Sequence, residues 1–193
     1  MRVWLTFLML FFTLPVWAGQ FMQPDNLYPK VQLETSAGNI VLELDRSRAP
    51  ITVNNFLNYV KANAYNNTVF HRLIADFVVQ GGGYNRQFAE IEQGKTIFNE
   101  SGNGLKNQYG TIAMARLADP HSASSQFYIN LADNDSLDPG SRWGYAVFGR
   151  VISGFDVLDK INALPTETSE KLGWPDVPVE PLLLNTVRLL PIE

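Results

Sequence analysis

The amino-acid sequence predicts a mainly β domain that folds as a closed antiparallel barrel with two helices. Short strand-like segments occur throughout the chain and are separated by clusters of Gly and Asn. Only two stretches have the spacing of an amphipathic helix, one early and one late, so strands and helices do not alternate as they do around a parallel sheet. A closed barrel is favoured because it leaves no strand edge unpaired.

The first elements are a hairpin and a helix. Residues 31–35 and 40–44 alternate apolar and polar side chains around a Gly-containing turn, which predicts a β-hairpin. Pro50 suits the first position of a helix. Apolar residues then follow at i, i+3, i+4 and i+7, which predicts a helix that ends near residues 64–65; they are Val53, Phe56, Leu57 and Val60.

The rest of the chain adds strands and one more helix. A second helix is predicted over residues 155–163, with Leu158 and Ile161 on its inner side. Further strands are predicted over residues 69–74, 77–80, 111–115, 126–130, 145–151 and 182–190.

The N-terminal segment has the layout of a signal peptide. Arg2 precedes an almost wholly apolar run over residues 3–14, Pro15 breaks that run, and cleavage is expected after Ala18. The run is shorter than the about 20 residues that a spanning helix needs, although an uncleaved anchor is the alternative. We therefore expect a signal peptide over 1–18, a flexible leader over 19–30 and one domain over 31–193, in the periplasm and without stable membrane association after cleavage.

Composition narrows the classes of function. Lys and Arg total 15 against 19 Asp and Glu, a balance that argues against nucleic acid as a partner. There is no cysteine, which excludes disulfides and a lipid-modified cysteine, and there are only two histidines, far apart, so no metal site is expected. A Ser-His-Asp hydrolase stays formally possible, but no recognisable nucleophile motif is present. We expect a monomer.

The most informative segment is residues 70–83. Arg72 lies within a mostly apolar stretch, where a guanidinium is costly unless its donors find partners. If residues 70–74 form one strand, Phe70, Arg72 and Ile74 share a face and His71 points the other way, as a hydrogen-bonded core residue. The pattern alone favours a structural role for Arg72, either in an ion pair or at the mouth of the barrel.

Several motifs, taken together and in order, resemble the cyclophilins. Phe70-His71-Arg72 followed by Phe77 and Gln80-Gly81-Gly82 is similar to the signature of that family. The other matching segments are residues 99–100, 110–115, 124–129 and 147–151. The resemblance spans about residues 31–190 and is greatest to the bacterial periplasmic branch.

The resemblance implies an eight-stranded barrel with two capping helices and a site on its outer face. It implies a peptidyl-prolyl cis-trans isomerase, without cofactor, that acts on proline-containing unfolded or partly folded polypeptides and assists the folding of exported proteins. Arg72 and Gln80 are implied as catalytic residues. The implied substrate-binding residues are Phe77, Val78, Ala115, Arg116, Gln126, Tyr128, Leu137 and Tyr145. Without the resemblance, the apolar members of this set would be expected in the core.

Four positions depart from the commoner family pattern. Ser136 stands where many members carry Trp, Tyr145 where many carry His, Tyr128 where many carry Phe, and Arg116 where many carry Asn. We expect Ser136 to weaken binding of the inhibitor cyclosporin, because an indole N–H and a large apolar surface are absent.

Two other functions are compatible with the fold. A proline-peptide binding module or holdase could use the same barrel without catalysis, although a pure binder has less need of both Arg72 and Gln80. A structural partner in an envelope complex is the weaker alternative, since no exposed apolar helix or charged tail is evident.

Overall fold

The computed structural model describes residues 22–170 and 172–192. Over this part of the chain there are eleven strands and two α-helices. The strands are β1 (Lys30–Thr35), β2 (Gly38–Leu44), β3 (Thr68–Phe70), β4 (Arg72–Ile74), β5 (Val78–Gly81), β6 (Thr111–Met114), β7 (Phe127–Asn130), β8 (Val147–Ser153), β9 (Thr166–Ser169), β10 (Trp174–Pro178) and β11 (Leu182–Leu189). The helices are α1 (Pro50–Lys61) and α2 (Phe155–Asn162). The predicted signal peptide lies outside the described residues.

Nine strands form one antiparallel sheet in the order β3-β11-β1-β2-β8-β6-β7-β5-β4. Its two outer strands, β3 and β4, are consecutive in the chain and separated by His71 alone. The backbone N–H of Val69 in β3 also donates to the carbonyl of Tyr84, just beyond β5. The sheet therefore curls into a nearly closed barrel, and the expected eight strands become nine because one of them is interrupted at His71. The predicted fold class is confirmed.

The first hairpin has the predicted alternation. Leu33 of β1 pairs with Ile40 of β2, and both side chains are fully buried. The same face carries further buried side chains of both strands: Val31, Leu42 and Leu44.

Helix α1 begins at Pro50, as predicted, but ends at Lys61, earlier than expected. The carboxylate of Glu100 accepts hydrogen bonds from the backbone N–H groups of Ile51 and Thr52, which have no partner within the first turn. The helix packs over the barrel interior through Phe56, whose ring lies against several core aromatic rings at centroid distances of 5.1 to 5.5 Å: Tyr65, Phe127 and Phe148.

Helix α2 buries Leu158 and Ile161, the two residues predicted for its inner side. No helix in residues 22–170 and 172–192 is long and apolar enough to cross a membrane.

The segment before β1, expected to be a flexible leader, is tied to the barrel from residue 22 onward. The guanidinium of Arg46, only 6% exposed, donates to backbone carbonyls of Met22, Gln23 and Asn26. The side-chain amide of Gln23 donates to the carbonyl of Leu190 at 2.8 Å. These hydrogen bonds tie the segment to distant residues of the barrel. Its polar, proline-containing sequence gives no local pattern from which such long-range contacts can be predicted.

Candidate active site

A row of paired residues crosses the outer face of the barrel. Arg72 of β4 is opposite Gln80 of β5, Gln80 is opposite Tyr128 of β7, and Tyr128 is opposite Ala113 of β6. Side chains alternate along each strand, so the neighbours of these residues point inward; Leu73, Val79, Ile112 and Ile129 are all fully buried. Antiparallel register thus gathers residues from distant parts of the chain on one outer surface.

A pocket of about 260 Å³ opens on this surface. Nine of the ten predicted site residues line it: Arg72, Phe77, Val78, Gln80, Ala115, Arg116, Tyr128, Leu137 and Tyr145. The tenth, Gln126, lines an adjoining pocket of about 270 Å³, which shares Gln80, Ala115 and Arg116 with the first. Val78, Ala113, Tyr128 and Val147 form a small apolar cluster here, separate from the barrel core.

Polar side chains form one edge of the pocket. The side-chain amide of Gln80 donates to Oε1 of Gln126 at 2.8 Å. Nη1 of Arg72 lies 3.5 Å from Oε1 of Gln80. Two partners therefore orient the side-chain amide of Gln80: its oxygen faces the guanidinium of Arg72, and its N–H faces Gln126. The side chain of Arg72 is 39% exposed, so its remaining donors are accessible from solvent.

Tyr128 forms the floor of the pocket and is almost fully buried. Its hydroxyl donates to Oδ1 of Asn107 at 2.7 Å. Burial raises the pKa of Tyr128 far above its ordinary value, so the hydroxyl stays protonated. The hydroxyl oxygen of this buried ring is accommodated because Asn107 supplies an acceptor.

Asn107 belongs to a buried polar network that sequence reasoning missed. Its backbone and side-chain N–H groups donate to Oδ1 of Asp138 at 2.8 and 3.0 Å. Burial alone would raise the pKa of Asp138, but these bonds and Lys106 outweigh it and lower that pKa. Asn134 donates to the carbonyl of Phe77 at 2.9 Å. The network fixes the loop that presents Leu137, and scattered Asn residues in loops give no pattern by which to predict it.

Arg116 lines another side of the pocket. Its Nη1 donates to the carbonyl of Leu117 at 2.9 Å and its Nη2 to the carbonyl of Trp143 at 2.7 Å. Its guanidinium also lies 4.5 Å from the centroid of the Tyr145 ring, a cation–π contact. The Arg116 side chain therefore joins two loops of the pocket.

The prediction that Phe70 shares a face with Arg72 is wrong. The strand is interrupted at His71, so Phe70 and Leu73 both lie in the core, where Phe70 packs against Phe127 with ring centroids 6.1 Å apart. The alternation of inward and outward side chains does not continue from β3 to β4, because His71 interrupts the strand.

His71 is buried, as predicted, but not in the hydrogen-bonded state that was expected. Its Nδ1 has no hydrogen-bond partner among the described residues. Its ring lies against Tyr84, with centroids 4.8 Å apart. Burial, with a smaller contribution from the charge of Arg72, lowers the pKa of His71 to about 4, so the ring is neutral near neutral pH.

The chain is similar to known proteins over most of its length. The family model described as cyclophilin type peptidyl-prolyl cis-trans isomerase/CLD matches residues 30–183. The chain is 49% identical over 164 residues to a peptidyl-prolyl cis-trans isomerase of Streptomyces antibioticus, covering 83% of this chain and 98% of the relative. It is 44% identical over 163 residues to peptidyl-prolyl cis-trans isomerase B of Escherichia coli K12, covering 82% and 98%.

A solved structure gives the same result for the fold. The crystal structure of a cyclophilin type peptidyl-prolyl cis-trans isomerase from Cryptosporidium parvum, determined in the presence of the dipeptide Ala-Pro, matches with a TM-score of 0.71 at 25% identity. The match covers 84% of this chain and 99% of that one. Sequence and structure together place the chain in the cyclophilin-type peptidyl-prolyl cis-trans isomerase family.

Proposed function

We propose that Arg72 is the catalytic donor of this isomerase and that Gln80 orients it. The bond before proline is held planar by amide resonance, with a barrier of about 18–20 kcal/mol. In the twisted transition state the prolyl nitrogen loses conjugation and regains a lone pair. A donor aimed at that nitrogen binds the transition state more strongly than either planar ground state, and this difference accelerates rotation. Arg72 suits the role because its guanidinium is always charged and rigid.

The pocket beside Arg72 takes the proline ring. Its apolar lining comes from Phe77, Val78, Tyr128 and Leu137, and Tyr145 closes one side. An apolar floor binds the ring without competing for the hydrogen bonds of the peptide. The observation that supports this proposal most is the gathering of the half-exposed guanidinium of Arg72 and these apolar side chains around a single cavity of about 260 Å³.

The remaining predicted residues hold the peptide on either side of proline. The segment at Ala115 and Arg116 borders both the proline pocket and the adjoining one, so an extended chain can pass along it. The backbone N–H of Ala115 already donates to the carbonyl of Gln126. Pairing with substrate therefore uses the backbone of Arg116, and the side chain of Gln126 contributes from the second pocket.

We further propose that the protein acts in the periplasm on exported polypeptides. The support is the charged start, apolar run and small residue at Ala18. N-terminal sequencing of the protein from the envelope fraction tests this. A mature chain beginning at Gly19 is expected, and a cytoplasmic chain beginning at Met1 would refute both the cleavage and the location.

The activity is tested by cis-trans exchange on a short proline peptide, measured by NMR for the wild type and for Arg72→Ala. Fast exchange by the wild type and slow exchange by a folded Arg72→Ala support the proposed roles. Peptide binding without acceleration by the wild type would indicate the alternative of a proline-peptide binding module.

A further inference from the structure

A two-stranded hairpin made of β9 and β10 lies beside β4, outside the main sheet. Trp174, the first residue of β10, anchors it. The indole ring lies 4.7 Å from the ring of Tyr84 and 6.2 Å from that of His71, measured between centroids. The hairpin is thus held against the strand that carries Arg72.

The strand β10 contains a bulge at Asp176. Trp174 pairs with Ser169 and Val177 pairs with Glu167, so three steps along β10 match two along β9 and one residue is extra. Asp176 has a φ of +59°. Few residues other than glycine adopt this left-handed conformation, and Asp and Asn tolerate it best. A bulge of this kind turns a side chain in a new direction.

The redirected carboxylate meets Arg72. Oδ2 of Asp176 lies 3.8 Å from Nε of Arg72, while Nη1 of the same guanidinium faces Gln80 at 3.5 Å. Asp176 and Gln80 therefore supply acceptors at two edges of the Arg72 guanidinium, a planar group whose N–H donors have fixed relative directions. Nη1 forms the only side-chain hydrogen bond of Arg72 with the described residues, so N–H groups of both Nη1 and Nη2 stay available to the peptide.

We infer that Asp176 is a positioning residue for Arg72, acting from a strained bulge to fix the plane of the catalytic guanidinium. Without Asp176, the guanidinium keeps one long contact to Gln80 and can rotate about its terminal side-chain bonds. Strained backbone of this kind persists where the surrounding structure holds it, and it is concentrated at functional sites. The inference rests on the proposed role of Arg72, because Asp176 itself does not line the proline pocket.

The test is a double-mutant cycle on cis-trans exchange of a short proline peptide. Asp176→Asn removes the charge and keeps a residue that tolerates positive φ. We expect it to lower kcat/KM by about three- to fivefold, mainly through kcat, since a half-exposed ion pair contributes little. Glu167→Gln, which removes an exposed carboxylate from the same hairpin, is the matched control and should leave the rate unchanged.

In the Arg72→Ala background, Asp176→Asn should have no further effect. An equal fall in both backgrounds, or no fall in the wild-type background, would overturn the inference while leaving the role of Arg72 intact. An unchanged rate in Arg72→Ala would overturn both.

A second readout does not depend on turnover. The Nε–Hε NMR signal of Arg72 should be ordered in the wild type and in Glu167→Gln, and mobile in Asp176→Asn and in Asp176→Gly, which relieves the backbone strain. A signal that is equally mobile in all four proteins would contradict the positioning role.

Discussion

Burial of His71 should make the stability of this protein depend on pH in a defined window. The pKa of His71 falls from its ordinary value of 6.5 to about 4 in the folded state, because the ring is buried and lies near Arg72. Between these values the unfolded chain binds a proton that the folded chain does not. The free energy of unfolding therefore falls as the pH is lowered from 6.5 to about 4, and this contribution levels off below pH 4.

The magnitude follows from the same pKa values. Each unit of pKa corresponds to about 1.4 kcal/mol, so the change from 6.5 to about 4 costs roughly 3 kcal/mol of stability across the window. The residue is only 8% exposed, so solvent screens this effect little. Carboxylates also titrate near the lower end of the window, and a matched variant is needed to separate their contribution.

His71→Phe is that variant. A phenyl ring keeps an aromatic contact with Tyr84 and cannot be protonated. Urea unfolding at a series of pH values from 7 to 4 should show that the wild type loses roughly 3 kcal/mol more than His71→Phe. Parallel curves for the two proteins would refute the argument, since they would mean that His71 titrates alike in the folded and unfolded states.

Three further predictions concern the pocket. Tyr128→Phe leaves Oδ1 of Asn107 with a single donor at 3.3 Å. Thermal unfolding should therefore show a loss of about 1–2 kcal/mol in the free energy of unfolding, with isomerase activity little changed. A variant as stable as the wild type would contradict the role of Tyr128 in the buried polar network. Arg116→Ala removes the contacts to Trp143 and the neighbouring loop, so the KM for a proline peptide should rise more than kcat falls. A change in kcat alone would contradict the proposal that Arg116 shapes the binding pocket. Ser136→Trp should tighten cyclosporin binding about fivefold or more by calorimetric titration, since one aromatic contact contributes about 1 kcal/mol or more. Tight binding by the natural sequence would contradict this expectation and show that another ring fills that place.

Most of the barrel could be predicted from the sequence, because half-buried strands alternate regularly. The hairpin of β1 and β2 is an example, since its alternating apolar residues face the core: Val31, Leu33, Ile40, Leu42 and Leu44. The hairpin of β9 and β10 was missed for a physical reason. Thr166–Ser169 is largely exposed and carries no apolar alternation, and two prolines lie within Trp174–Pro178. Tertiary contacts through Trp174, not local preference, hold these residues in strands.

The site was predictable only in part for a similar reason. Family motifs pointed to ten residues, and nine of them line one pocket. Asn107 and Asp138 support that pocket from loops, and Asp176 approaches Arg72 from about a hundred positions away in the chain. Such contacts depend on barrel closure, which brings the ends of the domain together, and no local spacing encodes them.

The central claim is that the guanidinium of Arg72 stabilises the twisted peptide bond. Its most direct test is kcat/KM for cis-trans exchange of one proline peptide by the wild type, Arg72→Ala and Arg72→Lys, with folding checked by circular dichroism. Arg72→Ala should lower kcat/KM at least about tenfold, which is about 1.4 kcal/mol of transition-state stabilisation. Arg72→Lys should be intermediate, because it keeps the charge and loses the planar set of donors. An unchanged rate in a folded Arg72→Ala would contradict the claim.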